Sequence, residues 1–244
     1  MISVVSPRIH NLGDFAHCLP TISAIHKKFQ EKISLSICDR LQRFKGIKEL
    51  LLAQPMIGEV SFFHERKYNA MNCVLIDDTG TTDGNRMAPI SNRQHINYIN
   101  YAYNLDLEND DDFELFVPKL DVNYHNDKHI IGDRWSPKDA PDVDERRYSN
   151  LIKSACVIKD EDSFYLDYTQ DLLYNCSLVK YNINPFITTF TGIGILADLM
   201  KKELYVLWDE DMRNWQGKPV EHDFDLHYYK DRHAKLQYIR DFNI

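Results

Sequence analysis

The spacing of apolar residues in the first forty positions changes as a β-α-β unit requires. Ile2–Ser6 is an apolar run that reads as a buried strand. From Phe15 to Phe29 apolar residues recur at helical spacing, and Ile33–Cys38 alternates as a strand does. Leu41–Ala53 again has helical spacing, Val60–Phe63 and Cys73–Ile76 are short strand-like runs, and Asp77–Gly80 supplies turn chemistry. A helix is expected over His95–Leu105, then an acidic run without apolar period, Glu108–Asp112, and a short strand at Phe113–Val117.

The alternation then restarts. Strands are predicted at His129–Gly132, Ser163–Leu166, Pro185–Phe190 and Leu204–Trp208. Helices are predicted at Arg146–Ala155, Gln170–Cys176, Gly192–Lys202 and, at the end, Tyr228–Phe242. Strands that alternate with helices imply parallel sheets covered by helices. With the break after Val117, the pattern predicts two Rossmann-like domains, residues 1–124 and 125–244.

Composition narrows the class. A chain of 244 residues with 43% hydrophobic positions has enough apolar side chains for two small cores. The net charge of -8 opposes long-range attraction to polyanions, so a general nucleic-acid coat is excluded. The first quarter is nonetheless locally basic, with Lys27, Lys28, Lys32, Arg40, Arg43, Lys45 and Lys48. That is either a solvated face or an anion site. Five scattered cysteines with no C-x-x-C pair fit reduced thiols in a cytoplasm. The apolar start at Met1–Ser6 is too short for a signal peptide or a membrane span, so a cytoplasmic protein without stable membrane insertion is expected. No G-x-G-x-x-G follows the first strand, and neither a P-loop nor a G-x-S-x-G elbow is present, which removes the main support for dehydrogenase, ATPase and hydrolase readings.

Two segments lie where open α/β sheets bind ligands, between a strand and the following helix. In Asn11-Leu12-Gly13-Asp14, Gly13 lets the backbone turn closely, and Asp14 is either a general base or a helix cap. In Thr188-Thr189-Phe190-Thr191-Gly192-Ile193-Gly194, backbone amides at a helix start suit a diphosphate; the competing account is a tight turn that needs glycine for packing. Thr189, Thr191, Gly192 and Gly194 are the diphosphate candidates. In the second half, Arg146 and Arg147 read as helix-surface charges. Asp209-Glu210-Asp211 has the D-x-D spacing that holds a divalent metal in one class of sugar transferases, but it stands too near the chain end for that fold, and His222, His227 and His233 lack zinc-helix spacing. No metal and no cofactor are expected.

The run N-L-G-D-F-A-H-C-L-P-T-I-S-A-I, from Asn11, resembles the N-terminal signature of the heptosyltransferase-like family-9 glycosyltransferases, and Glu49–Phe62 is similar to the helix and strand that follow in them. The resemblance implies the GT-B fold, two Rossmann-like domains facing a cleft, with Asp14 as the base that deprotonates the acceptor hydroxyl. It also matches Thr188–Ile195 to the donor-diphosphate loop and Arg134 to a basic segment at the donor phosphates. This chain departs from the family pattern at Phe190, where an acid is usual, and at Ile195, where a histidine is usual.

The function so implied is metal-independent transfer of a sugar from a nucleoside diphosphate sugar, held by Gly13, Arg134, Lys138 and the Thr189–Gly194 turn, to an acceptor hydroxyl. Arg40, Arg43 and Lys45 point to a phosphate-bearing saccharide, or to a hydroxymethylated base of phage DNA within a host cytoplasm. The rival reading is a non-catalytic nucleotide- or partner-binding protein on a degenerate version of the fold.

Overall fold

The computed structural model describes residues 1–6, 9, 11–63, 73–76, 92–132, 152, 158–208 and 235–242. The chain divides into two compact units, Met1–Val117 and Pro118–Ile244.

In the first unit four parallel strands form one sheet: β1 (Ile2–Ser6), β2 (Ile33–Cys38), β3 (Ile57–Phe63) and β4 (Val74–Leu75), in the order β3-β2-β1-β4. The helices are α1 (Leu12–Ala16), α2 (Leu19–Phe29), α3 (Ile47–Leu52) and α4 (Asn92–Tyr103). Val4, Ile33, Leu35 and Ile37 on the strands and Phe15, Leu19, Ile22 and Ile25 on the helices are all fully buried, as a helix-covered sheet demands.

Two of the predicted helices are divided. Pro20 lacks the N–H that would bond the carbonyl of Ala16, so Phe15–Phe29 separates into α1 and α2, with the proline in the first turn of α2. The expected helix Leu41–Ala53 becomes a 3-10 turn at Asp39–Arg43, ended by Phe44 at φ -88° and ψ 85°, and then α3, which starts after Gly46 at φ 81°, a left-handed backbone that breaks helical continuity.

The strand expected at Phe113–Val117 is not one. Its alternation is real: Phe113, Leu115 and Val117 are buried while Glu114 and Phe116 are exposed. Its backbone is paired with a side chain instead of a neighbouring strand. Gln54 Nε2 donates to the Phe116 carbonyl at 2.8 Å and Gln54 Oε1 accepts from the Phe116 N–H at 3.0 Å, a single amide imitating one ladder step. Lys27 Nζ, 2.6 Å from the buried carboxylate of Asp110, anchors the acidic run that precedes it.

The second unit is a five-stranded parallel sheet ordered β6-β5-β7-β8-β9. Its strands are β5 (His129–Gly132), β6 (Ser163–Tyr165), β7 (Phe186–Thr188), β8 (Leu204–Trp208) and β9 (Lys235–Tyr238), and among the described residues the sheet is accompanied by the helices α5 (Leu172–Tyr181) and α6 (Gly192–Leu199). One face is sealed by Ile131, Ile187, Leu207, Ile239 and Phe242. The terminal helix predicted over Tyr228–Phe242 is corrected in its described part: Lys235–Tyr238 pairs with β8 as a parallel edge strand, and Ile239–Asp241 is a short 3-10 turn. Helix-like spacing there reflects burial of Ile239 and Phe242 against the sheet rather than a helical face. Among the described residues no helix is long and apolar enough to cross a membrane.

Candidate functional site

In an open parallel sheet the loops at the carboxyl ends of two adjacent strands diverge where the strand order reverses, leaving a crevice. Sheet order places that switch point between β1 and β4 in the first unit and between β5 and β7 in the second. The segments after β1 and β7 are the two singled out by sequence.

After β1, the backbone of Asn11 (φ -94°, ψ 143°) enters α1, so Asn11 is the N-cap, and Asp14 stands in the first turn rather than at the cap. Asp14 is exposed, and its Oδ2 accepts from Asn11 Nδ2 at 3.1 Å. Asn11 Oδ1 accepts in turn from Arg43 Nη2 at 3.2 Å. Arg43 lies on the 3-10 turn that follows β2, the strand beside β1. Its guanidinium rests on the Phe44 ring, 4.9 Å from the centroid. Burial, with Arg40 adding, lowers its pKa from the ordinary value; a guanidinium stays cationic regardless. Arg40 and Lys45 are exposed on the same stretch, so the structure joins the basic run to the Asp14 turn through Arg43.

Beneath this turn lies a buried pair. Cys18 Sγ is 3.6 Å from His95 Nε2, and the thiol also donates to the Asp14 carbonyl at 3.5 Å. Burial depresses the His95 pKa to about 4, so the ring is neutral near pH 7. His17, three residues on from Asp14, is buried too.

At the second switch point Thr191 is the N-cap of α6, its Oγ1 accepting from the Gly194 N–H at 3.2 Å. Thr188 Oγ1 donates to the Gly132 carbonyl at 2.5 Å and lies 2.9 Å from Thr191 Oγ1. Each hydroxyl has one proton, so with the Thr188 proton on Gly132, Thr191 is the donor to Thr188. The Thr191 hydroxyl is thereby committed within the protein, as is the Gly194 amide. The amides of Gly192 and Ile193, the first two of the helix, have no intrahelical acceptor and carry the positive end of its dipole. Thr189 is fully buried. Phe190 and Ile195, at the positions of the usual acid and histidine, are buried among the core residues.

Gly132 ends β5 on the other side of this switch point. A Cβ there would lie 2.5 Å from Cζ of the buried Phe186 and 3.3 Å from Cγ2 of Ile193. Glycine at this position therefore lets β5, β7 and α6 approach closely. Arg134 and Lys138, which follow it, lie outside the described residues, as do Arg146, Arg147, Asp209–Asp211 and the three late histidines. Among the described residues no three His, Cys, Asp or Glu side chains group as metal ligands.

Sequence reasoning missed Asn11, Thr188 and Gly132 as organising residues. Asn11 and Thr188 lie inside the quoted motifs, but only the fold shows which side chains bond across strands.

No family model matches the sequence, and no curated protein sequence matches it significantly. Solved structures do match. A glycosyl transferase of family 9 from Veillonella parvula superposes with a TM-score of 0.54 at 13% identity, over 98% of this chain and 86% of the other. The E. coli heptosyltransferase WaaC, solved with ADP, gives 0.54 at 8% identity, covering 97% and 93%. E. coli ADP-heptose lps heptosyltransferase II gives 0.52 at 12% identity, covering 100% and 95%. With two parallel sheets flanked by helices along nearly its whole length, this chain has the GT-B fold seen in the family-9 glycosyltransferase structures.

Proposed function

We propose that this protein is a glycosyltransferase that moves a sugar from a nucleoside diphosphate sugar to an acceptor hydroxyl. One observation carries the reading: the acid-bearing turn Asn11–Asp14 and the amide-bearing turn Thr188–Gly194 each follow a strand that borders a topological switch point, in a chain with the fold of nucleotide-sugar enzymes.

The second unit binds the donor. Its diphosphate meets the Gly192 and Ile193 amides at the start of α6, with Arg134 and Lys138 as the cations that neutralise it. The first unit binds the acceptor, Arg40, Arg43 and Lys45 favouring one that carries phosphate. Asp14 takes the proton from the acceptor hydroxyl. The oxygen attacks the anomeric carbon, the bond from that carbon to the diphosphate oxygen breaks, and the nucleoside diphosphate leaves with the bonding pair. Amides and cations act most strongly on the charge that develops on this leaving group. Between a phosphate-bearing saccharide and a hydroxymethylated base of DNA, the net charge of -8 favours the saccharide.

The burial of Phe190 and Ile195 favours a second reading, nucleotide binding without turnover, since neither supplies a polar group to a donor. Both readings are tested by incubating the protein with ADP-, UDP-, GDP- and CDP-sugars and a phosphate-bearing saccharide acceptor, with and without a chelator, and following nucleoside diphosphate release by mass spectrometry. Transfer predicts release that Asp14→Asn lowers by at least about 100-fold while donor affinity changes little. Binding without release from any donor selects the second reading, and release that the chelator abolishes refutes metal independence.

A further inference from the structure

We propose that Asn11 is a positioning residue that aims the Asp14 carboxylate at the acceptor and keeps the Arg43 cation one amide away from it. This rests on Asp14 being the base.

The first observation is a cap that does not cap. Asn11 occupies the N-cap of α1 by its backbone, and asparagine is among the best residues there because its side chain accepts a helix N–H. Here it makes no such bond. The amide is turned the other way, with Oδ1 on Arg43 at 3.2 Å and Nδ2 on Asp14 at 3.1 Å. Side-chain bonding has been diverted from the helix to a cation and a carboxylate.

The second observation is chemical. A carboxamide can accept from a guanidinium and donate to a carboxylate at the same time; aspartate, of nearly identical shape, can only accept. If Arg43 met Asp14 directly, its planar fork would engage both carboxylate oxygens and compete with the acceptor hydroxyl. Through Asn11 the cation fixes the direction of the acid without gripping it. The two ends of the chain are anchored on neighbouring strands, Asn11 beyond β1 and Arg43 beyond β2, so the rigid sheet sets their separation.

Asn11→Asp separates this role from a structural one, because aspartate caps a helix as well as asparagine does. With a donor that the wild-type protein turns over, Asn11→Asp should lower kcat about 10- to 100-fold, leave the donor KM within about twofold, and leave the thermal midpoint unchanged or higher. In an Asp14→Asn background the same substitution should have no further effect on the residual rate, since Asn11 acts through Asp14. A kcat for Asn11→Asp within twofold of wild type overturns the proposal, and so does a further slowing of Asp14→Asn. Failure of the transferase reading is different in kind: wild type and every variant would then release no nucleoside diphosphate from any donor.

Discussion

Gly132→Ala tests the packing beneath the proposed donor turn. The added methyl carbon would sit 2.5 Å from Cζ and 3.1 Å from Cε2 of Phe186, and 3.3 Å from Cγ2 of Ile193. Apolar carbons rest about 3.5–4.0 Å apart, so the ring or the strand must yield by about 1 Å. Phe186 and Ile193 are both fully buried, with no solvent into which either can swing. Overpacking of this kind costs about 1–3 kcal/mol. Alanine also restricts the unfolded chain, which returns about 0.4–1 kcal/mol. The net expectation is a loss of about 1.5 kcal/mol, or roughly 3–6 °C in the melting midpoint at about 2–4 °C per kcal/mol. The displacement acts on Ile193, whose amide is the second of α6, and on the Gly132 carbonyl that accepts from Thr188, so nucleoside diphosphate affinity should fall with stability. The assay is urea unfolding of four proteins: wild type, Gly132→Ala, Phe186→Leu and the double variant. Leucine lacks the ring tip, so in its presence the alanine should cost at least about 1 kcal/mol less than in wild type. An alanine variant as stable as wild type, or one whose cost is the same with and without the Phe186 ring, refutes the reasoning.

The buried His95 makes stability depend on acid. Its folded pKa of about 4 lies below the ordinary 6.5, so between those values the unfolded chain takes up a proton that the folded chain does not. Stability contributed by the neutral ring is fully present above pH 6.5, declines as pH falls towards 4, and then levels off. The 2.5-unit difference at about 1.36 kcal/mol per unit sets a scale of about 3 kcal/mol. Urea midpoints measured from pH 7 to 4 should show this slope in wild type and a flatter one in His95→Gln; equal slopes would remove His95 as the cause. Gln54→Leu removes both bonds to Phe116 and the one to the Leu50 carbonyl at 2.7 Å. It should cost about 1–3 kcal/mol and speed hydrogen exchange at the Phe116 amide, so unchanged exchange there would show that Gln54 does not hold the segment.

Much of the architecture was legible because strands buried on both faces and amphipathic helices leave distinct periods in a sequence. β1, β2, β5 and β8 stand where the pattern of apolar residues placed them. The N-L-G-D and T-G-x-G segments were recognisable because a tight turn between strand and helix needs glycine and small polar residues. The misplaced elements share one cause. Phe113–Val117 alternates as a strand does, and Leu41–Ala53 and Lys235–Phe242 have helix-like spacing. In each case the period records which side chains are buried, not which backbone groups are paired, and Gln54, Gly46 and β8 decided the pairing. The candidate site divides the same way. Asp14, Thr191 and Gly192 follow from the order of residues along the chain, whereas the Arg43–Asn11–Asp14 chain and the Gly132–Thr188–Thr191 relay join residues brought together only when parallel strands align their carboxyl ends. Sequence by itself determined the alternation of strands and helices and the chemistry of each turn. Tertiary structure alone decided strand order, and with it which turns border a switch point, because hydrogen bonding between strands distant in sequence leaves no local period to read.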